Sequence, residues 1–230
     1  APNRRAAPRL SACGANARRK PRSTIAVHHV SIPRRTDFTD MTDRFYPHWV
    51  AATAILLVMT LLYAPFALAG RGEALALICA FGSAYMLHQL EEHAGDRFRA
   101  CANRRLFGGR EALSKLTVLW VNLPGVWGLN LAALYAALAF GPGWGLAAPY
   151  LAVVNAVAHC GVALRFREYN PGLATAVAVF FPLGFHALGA VPATLPQHLV
   201  GLGVAAAIHA AIVIPVLRQL KSAPAQQLAA

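Results

Sequence analysis

Charge is scarce in this chain. Only 13% of its 230 residues are Asp, Glu, Lys or Arg, against roughly 25% in soluble globular domains. A soluble all-α domain would need polar helix faces, and these are largely missing. Acidic residues are rarest, nine against 21 Lys and Arg. Cysteine is sparse too. Cys13, Cys79, Cys101 and Cys160 show no paired spacing, so no disulfide framework is implied. No apolar core precedes a cleavage site near Ala1, so a secretory signal is not expected. No repeat is evident.

What is present is long apolar runs, each of a length that crosses a bilayer as a helix. Six spans are predicted: Trp49–Ala69, Glu73–His93, Lys115–Phe140, Trp144–Phe166, Gly172–Ala190 and Gln197–Leu217. The predicted fold is all-α, a polytopic transmembrane helix bundle over residues 45–221. Pro124 and Pro182 interrupt the third and fifth spans, where a lost backbone donor kinks a helix and can open a cavity.

Residues 1–44 are rich in Arg, Ala, Pro and Ser and have no usable periodicity, so a disordered basic tail is expected. Met41 is expected to be the natural start. Ten of the 21 basic residues precede Trp49, and six more (Arg97, Arg99, Arg104, Arg105, Arg110, Lys115) follow the second span. With six spans, this bias places both termini in the cytoplasm. Contact with anionic lipid headgroups accounts for the basic excess, so nucleic acid is not an expected partner and membrane lipids are. The connection from Ala94 to Ser114 has room for a short interfacial helix.

The candidate chemistry lies at the ends of two spans. His88, Glu91 and Glu92 are spaced i, i+3, i+4 and share a helix face, whereas His93 at i+5 is expected to point away. Asn155 and His159 likewise share a face of the fourth span. His88 and His159 each lie about five residues inside the same side of the membrane, on the order of 8 Å deep at 1.5 Å per residue. Ionisable groups at that depth are costly and usually mark a site. Just beyond the fourth span comes Tyr169-Asn170-Pro171-Gly172, which reads as an Asn170 N-cap with proline at N1. Such a helix start, with Arg165 and Arg167 nearby, is expected to bind an anionic group.

The spacing differs from zincins, which need His-Glu-x-x-His or His-x-x-Glu-His, and from bundle di-iron proteins with two Glu-x-x-His repeats. The chain does resemble the HXXEE family of integral membrane proteins. The resemblance rests on His88-Gln-Leu-Glu91-Glu92, Asn155-Ala-Val-Ala-His159 and Tyr169-Asn-Pro171-Gly172, in that order, and spans about residues 50–190. It implies a membrane protein with a site at these positions; it does not imply a reaction.

The expected function is a metal-dependent membrane enzyme, a hydrolase for a lipid or isoprenoid-like substrate near the cytoplasmic leaflet. His88, Glu91, Glu92 and His159 are the expected metal-ligating and catalytic residues. Asn155, Arg165, Arg167, Tyr169 and Asn170 are the expected substrate-binding residues. Mixed imidazole and carboxylate donors suit Zn²⁺, Fe²⁺ or Mn²⁺; nothing indicates a nucleotide cofactor. Two other readings fit the same residues: a proton- or ion-coupled transporter, and a non-catalytic membrane protein whose polar groups fix helix packing.

Overall fold

A computed structural model of the chain describes residues 35–222, which are mainly helical and contain no strand. Cys13, His28, His29 and most of the expected tail lie outside the described residues. Residues 35–44, expected in that tail, begin the first helix instead.

The helices are α1 (Arg35–Leu68), α2 (Glu73–His93), the short α3 (Arg97–Arg105), α4 (Lys115–Phe140), α5 (Ala147–Phe166), α6 (Leu173–Ala190) and α7 (Leu195–Ser222). Five are long and apolar enough to cross a membrane. The short α3 is not among them, and of the six expected spans the exception is α2, whose last turns carry His88, Gln89, Glu91, Glu92 and His93. The expected short helix in the second connection is α3.

Small residues face inward and large ones outward. Ala133, Ala137, Ala148, Ala152, Ala156, Ala176, Ala187 and Ala205 are buried, while Ile55, Met59, Leu62, Phe66, Leu131 and Phe185 are exposed. Lipid tails are as apolar as leucine, so burying leucine against another helix gains little. Small side chains instead let backbones approach and gain van der Waals contact. Gly145 is one such approach, since a Cβ there would lie 2.9 Å from Ile78 Cγ2 and 3.1 Å from the Ala133 carbonyl oxygen.

Helix α2 is central and packs against α1, α4, α5 and α6. Ile78, Phe81, Tyr85, His88 and Gln89 are all at most 1% exposed. A helix enclosed by other helices need not meet lipid, so it can carry polar groups that an outer span could not.

Both expected proline interruptions are π-helical turns. Val121–Trp127 of α4 contains Pro124, and Ala176–Phe180 of α6 ends two residues before Pro182. A π turn absorbs the lost backbone bond and re-aims the side chains around it. These turns place Asn122 and Trp127 against α2, and Thr175 immediately ahead of the second one.

Candidate metal centre

The two imidazoles predicted at matching depth do meet. His88 and His159 lie edge to face with ring centroids 4.9 Å apart, and the Glu92 carboxylate completes the group. Glu92 Oε1 lies 3.6 Å from His88 Nε2 and 3.2 Å from His159 Nε2. One donor atom from each residue lies within 4.8 Å of the others, and all three residues are buried.

The surrounding hydrogen bonds assign the imidazole tautomers. His88 Nδ1 is 2.6 Å from Thr175 Oγ1, and Thr175 in turn donates to Glu91 Oε2. A carboxylate can only accept, so the hydroxyl proton points to Glu91 and Thr175 accepts from His88 Nδ1–H. His159 Nδ1 is 2.6 Å from Asn170 Oδ1, while Asn170 Nδ2 donates to the His159 carbonyl. Asn170 Oδ1 must therefore accept from His159 Nδ1–H. Both Nε2 lone pairs are left facing Glu92, and His88 Nε2 has no hydrogen-bond partner. Two lone pairs and a carboxylate oxygen facing one another without a donor repel unless a cation or proton lies among them. Imidazoles whose second nitrogen donates to an oxygen are the usual arrangement around a bound metal.

Glu91, expected beside Glu92 as a ligand, is turned elsewhere. It accepts from the backbone N–H groups of Ala174 (3.0 Å) and Thr175 (2.7 Å), from Thr175 Oγ1 and from the Tyr169 hydroxyl. It thus occupies the helix start that the sequence reading left open for a phosphate or carboxylate. Asn170 does not cap that helix. The N-cap is Gly172, in the left-handed region with φ +100°, and the Asn170 side chain is spent on His159. Burial and the adjacent Glu91 carboxylate push the Tyr169 phenol up to about 12, so Tyr169 remains a donor at neutral pH.

His93, expected to point away, is buried with Nε2 3.4 Å from Glu92 Oε2. A carboxylate has two oxygens, so one faces His88 and His159 while the other faces His93. Three residues that the spacing argument missed hold His93. Trp127 Nε1–H donates to Gln89 Oε1 (2.7 Å), Gln89 Nε2 to Asn122 Oδ1 (2.9 Å), and Asn122 Nδ2 reaches His93 Nε2 (3.2 Å). Indole can only donate, which fixes the direction of the whole chain. Polar residues inside otherwise apolar spans were the signal that could have found them. Replacing Gln89 with leucine is expected to leave the Trp127 N–H and Asn122 Oδ1 unpaired. At about 1–3 kcal/mol for each of the two orphaned groups, the loss is on the order of 2–6 kcal/mol. Thermal unfolding in detergent checks this, and a melting temperature equal to the parent's would refute it.

A cavity of about 290 Å³ adjoins the cluster. Its wall includes His88, Glu92, His93, Asn155 and His159, and is otherwise mainly apolar, with Tyr85, Phe98, Leu151, Ile208 and Val213. Tyr169 and Asn170 also line it; Arg165 and Arg167 do not. Both arginines are exposed, with Arg165 over the Phe166 ring. The basic residue on the wall is Arg105, at the end of α3.

No curated protein and no solved structure matches this chain. Residues 79–187 match the model of the family described as a protein of unknown function with HXXEE motif. That stretch holds His88-x-x-Glu91-Glu92, Asn155, His159, Tyr169 and Gly172, and over it the chain is similar to that family.

Proposed function

We propose that this protein is a membrane-embedded metal-dependent enzyme, a hydrolase acting on a lipid or isoprenoid-like substrate close to the cytoplasmic leaflet. The observation that carries the reading is the convergence of His88 Nε2, His159 Nε2 and Glu92 Oε1 in a buried cluster, with both Nδ1–H groups already committed. Two imidazoles and one carboxylate form a donor set of catalytic zinc sites, which keep a further position open for water or substrate. The same set serves non-haem Fe²⁺.

A bound divalent ion would supply Lewis acidity and activate a water. The chain's own residues do the rest. Thr175 and Asn170 hold the imidazoles in the ligating tautomer. Glu91 and Tyr169 position Thr175. Asn155 and Tyr85 face the cavity, where they can orient a substrate oxygen. The aliphatic and aromatic wall excludes bulk water and accepts a hydrocarbon chain.

Elemental mass spectrometry of detergent-purified protein, beside His88→Ala and His159→Ala, tests this. Near-stoichiometric metal in the parent, lost in both folded variants, is expected. A parent that stays metal-free after incubation with Zn²⁺, Fe²⁺ and Mn²⁺ would end the metalloenzyme reading.

A further inference from the structure

The cavity wall carries one Lys or Arg side chain among the described residues, Arg105. Its guanidinium donates to the Glu168 carboxylate, Nη2 to Oε1 at 2.7 Å. Glu168 also lines the cavity. The pair joins α3 to the segment between α5 and α6, just ahead of Tyr169 and Asn170. The two side chains are 44% and 50% exposed, so the pair is solvated on one side and faces the cavity on the other.

The wall also contains Leu106 and Val213, which are 42% and 49% exposed. The cavity therefore opens on the side of α3 and the C-terminal half of α7. Apolar residues there continue from the mouth to Phe98, Leu151 and Val126 inside. The result is a cavity with a mainly apolar wall, a half-exposed guanidinium on its lining and a polar cluster in its wall.

We infer that this cavity takes a single-chain amphiphile with a phosphate or carboxylate headgroup, and that Arg105 binds the headgroup in exchange for Glu168. The inference rests on the lipid-enzyme reading above and adds the headgroup chemistry and its binder. A half-exposed Arg–Glu pair adds little stability, so an incoming anion displaces the carboxylate easily. A planar guanidinium then binds a phosphate or carboxylate through two parallel hydrogen bonds. The hydrocarbon chain fills the wall that water solvates poorly. Glu168 acts as a stand-in anion, holding Arg105 at the rim when no lipid is bound and competing with weak anions.

Binding, measured without turnover on both metal-free and metal-loaded full-length protein in detergent, separates this inference from the enzyme reading. The probes are lysophosphatidate, lysophosphatidylcholine and monoacylglycerol with the same acyl chain. Lysophosphatidate is expected to bind about tenfold tighter than the other two, the ratio supplied by one hydrogen bond to a charged group. R105Q should abolish that preference while leaving monoacylglycerol binding unchanged. E168Q should increase the preference, because it frees Arg105 without removing it. Equal binding of all three probes, a preference that survives R105Q, or an E168Q variant no better than the parent would each overturn the inference. So would displacement of lysophosphatidate by millimolar inorganic phosphate, which would assign the guanidinium to a free ion. Metal-free protein that shows the full headgroup preference sustains the inference even if no metal is ever found.

Discussion

Gly172→Ala is expected to disrupt the His88–Glu92–His159 centre and to destabilise the protein by about 2–5 kcal/mol. Two independent effects add. The backbone at Gly172 has φ +100°, a left-handed conformation that costs an L-residue roughly 1–2 kcal/mol. An added Cβ would also lie 2.5 Å from His159 Cε1, and 2.9 Å from both Glu92 Cγ and His88 Cε1. Overpacking of that kind costs about 1–3 kcal/mol, and here the side chains that must yield are the three presumed ligands themselves. Gly161 is the control. It lies in α5 near His159, and nothing stands within 4 Å of its Cβ position. Alanine there should be neutral or should stabilise by about 0.5–1 kcal/mol, as glycine is a poor helix residue. Melting temperature and metal content of the two variants decide the matter. A Gly172→Ala protein with parental values for both would show that the glycine does not close over the centre.

Glu92→Gln and Glu91→Gln are expected to separate two adjacent carboxylates by role. Glu92→Gln keeps the side-chain volume but removes the charge between the imidazoles. Metal binding should fall below detection while the protein remains folded, because the amide relieves an uncompensated buried charge. Glu91→Gln leaves the three donor atoms intact. It replaces one acceptor oxygen with an amide NH₂ that faces the donors from Tyr169, Ala174 and Thr175. Thr175 then loosens its hold on His88, and loss of such a supporting partner typically weakens metal binding about 10–100-fold. Isothermal titration with Zn²⁺ distinguishes the two variants. Identical loss in both would make Glu91 a ligand rather than a positioning residue. A Glu92→Gln protein that fails to fold would favour the reading in which these groups serve only helix packing.

Outside the cluster, the α2–α3 turn is pinned in a way that pH can probe. Asp96 sits at φ +59°, accepts from Tyr46 and pairs with Arg99 at 2.6 Å. Burial works against its charged form, yet the hydrogen bonds from Arg99 and Tyr46 hold its carboxyl below the usual range. A depressed carboxyl contributes stability above its unfolded value, about 3.9, and that contribution is lost as pH falls through the lower folded value. The turn should therefore loosen in acid and not in mild base.

Much of this was legible in the chain itself. Apolar stretches of bilayer length specify a polytopic all-α bundle, because hydrocarbon accepts only segments that satisfy their own backbone. Five of the six expected spans are long and apolar enough to cross, and the polar end of α2 sets it apart. The i, i+4 spacing of His88 and Glu92 specifies a shared helix face, and equal distance from the span ends set His88 and His159 at one depth. Proline positions gave away both irregular turns. Each of these follows from a period, a length or a backbone donor, which are properties of single segments.

What the tertiary structure alone decided was which partner each polar group found. Glu91 and Glu92 are neighbours on one helix, and the rotation of α2 against α6 sends one carboxylate to the N-terminus of α6 and the other to the imidazoles. Asn170 looks like a helix cap in sequence, but the left-handed Gly172 starts the helix and releases Asn170 to hold His159. Arg165 and Arg167 are close to the site along the chain and exposed in space, while Arg105, far away in sequence, reaches the cavity through α3. Gln89, Asn122 and Trp127 form one chain only because a π turn aims α4 at α2. Sequence spacing fixes directions within one helix; how helices are rotated and stacked against each other depends on the small-residue contacts of the whole bundle.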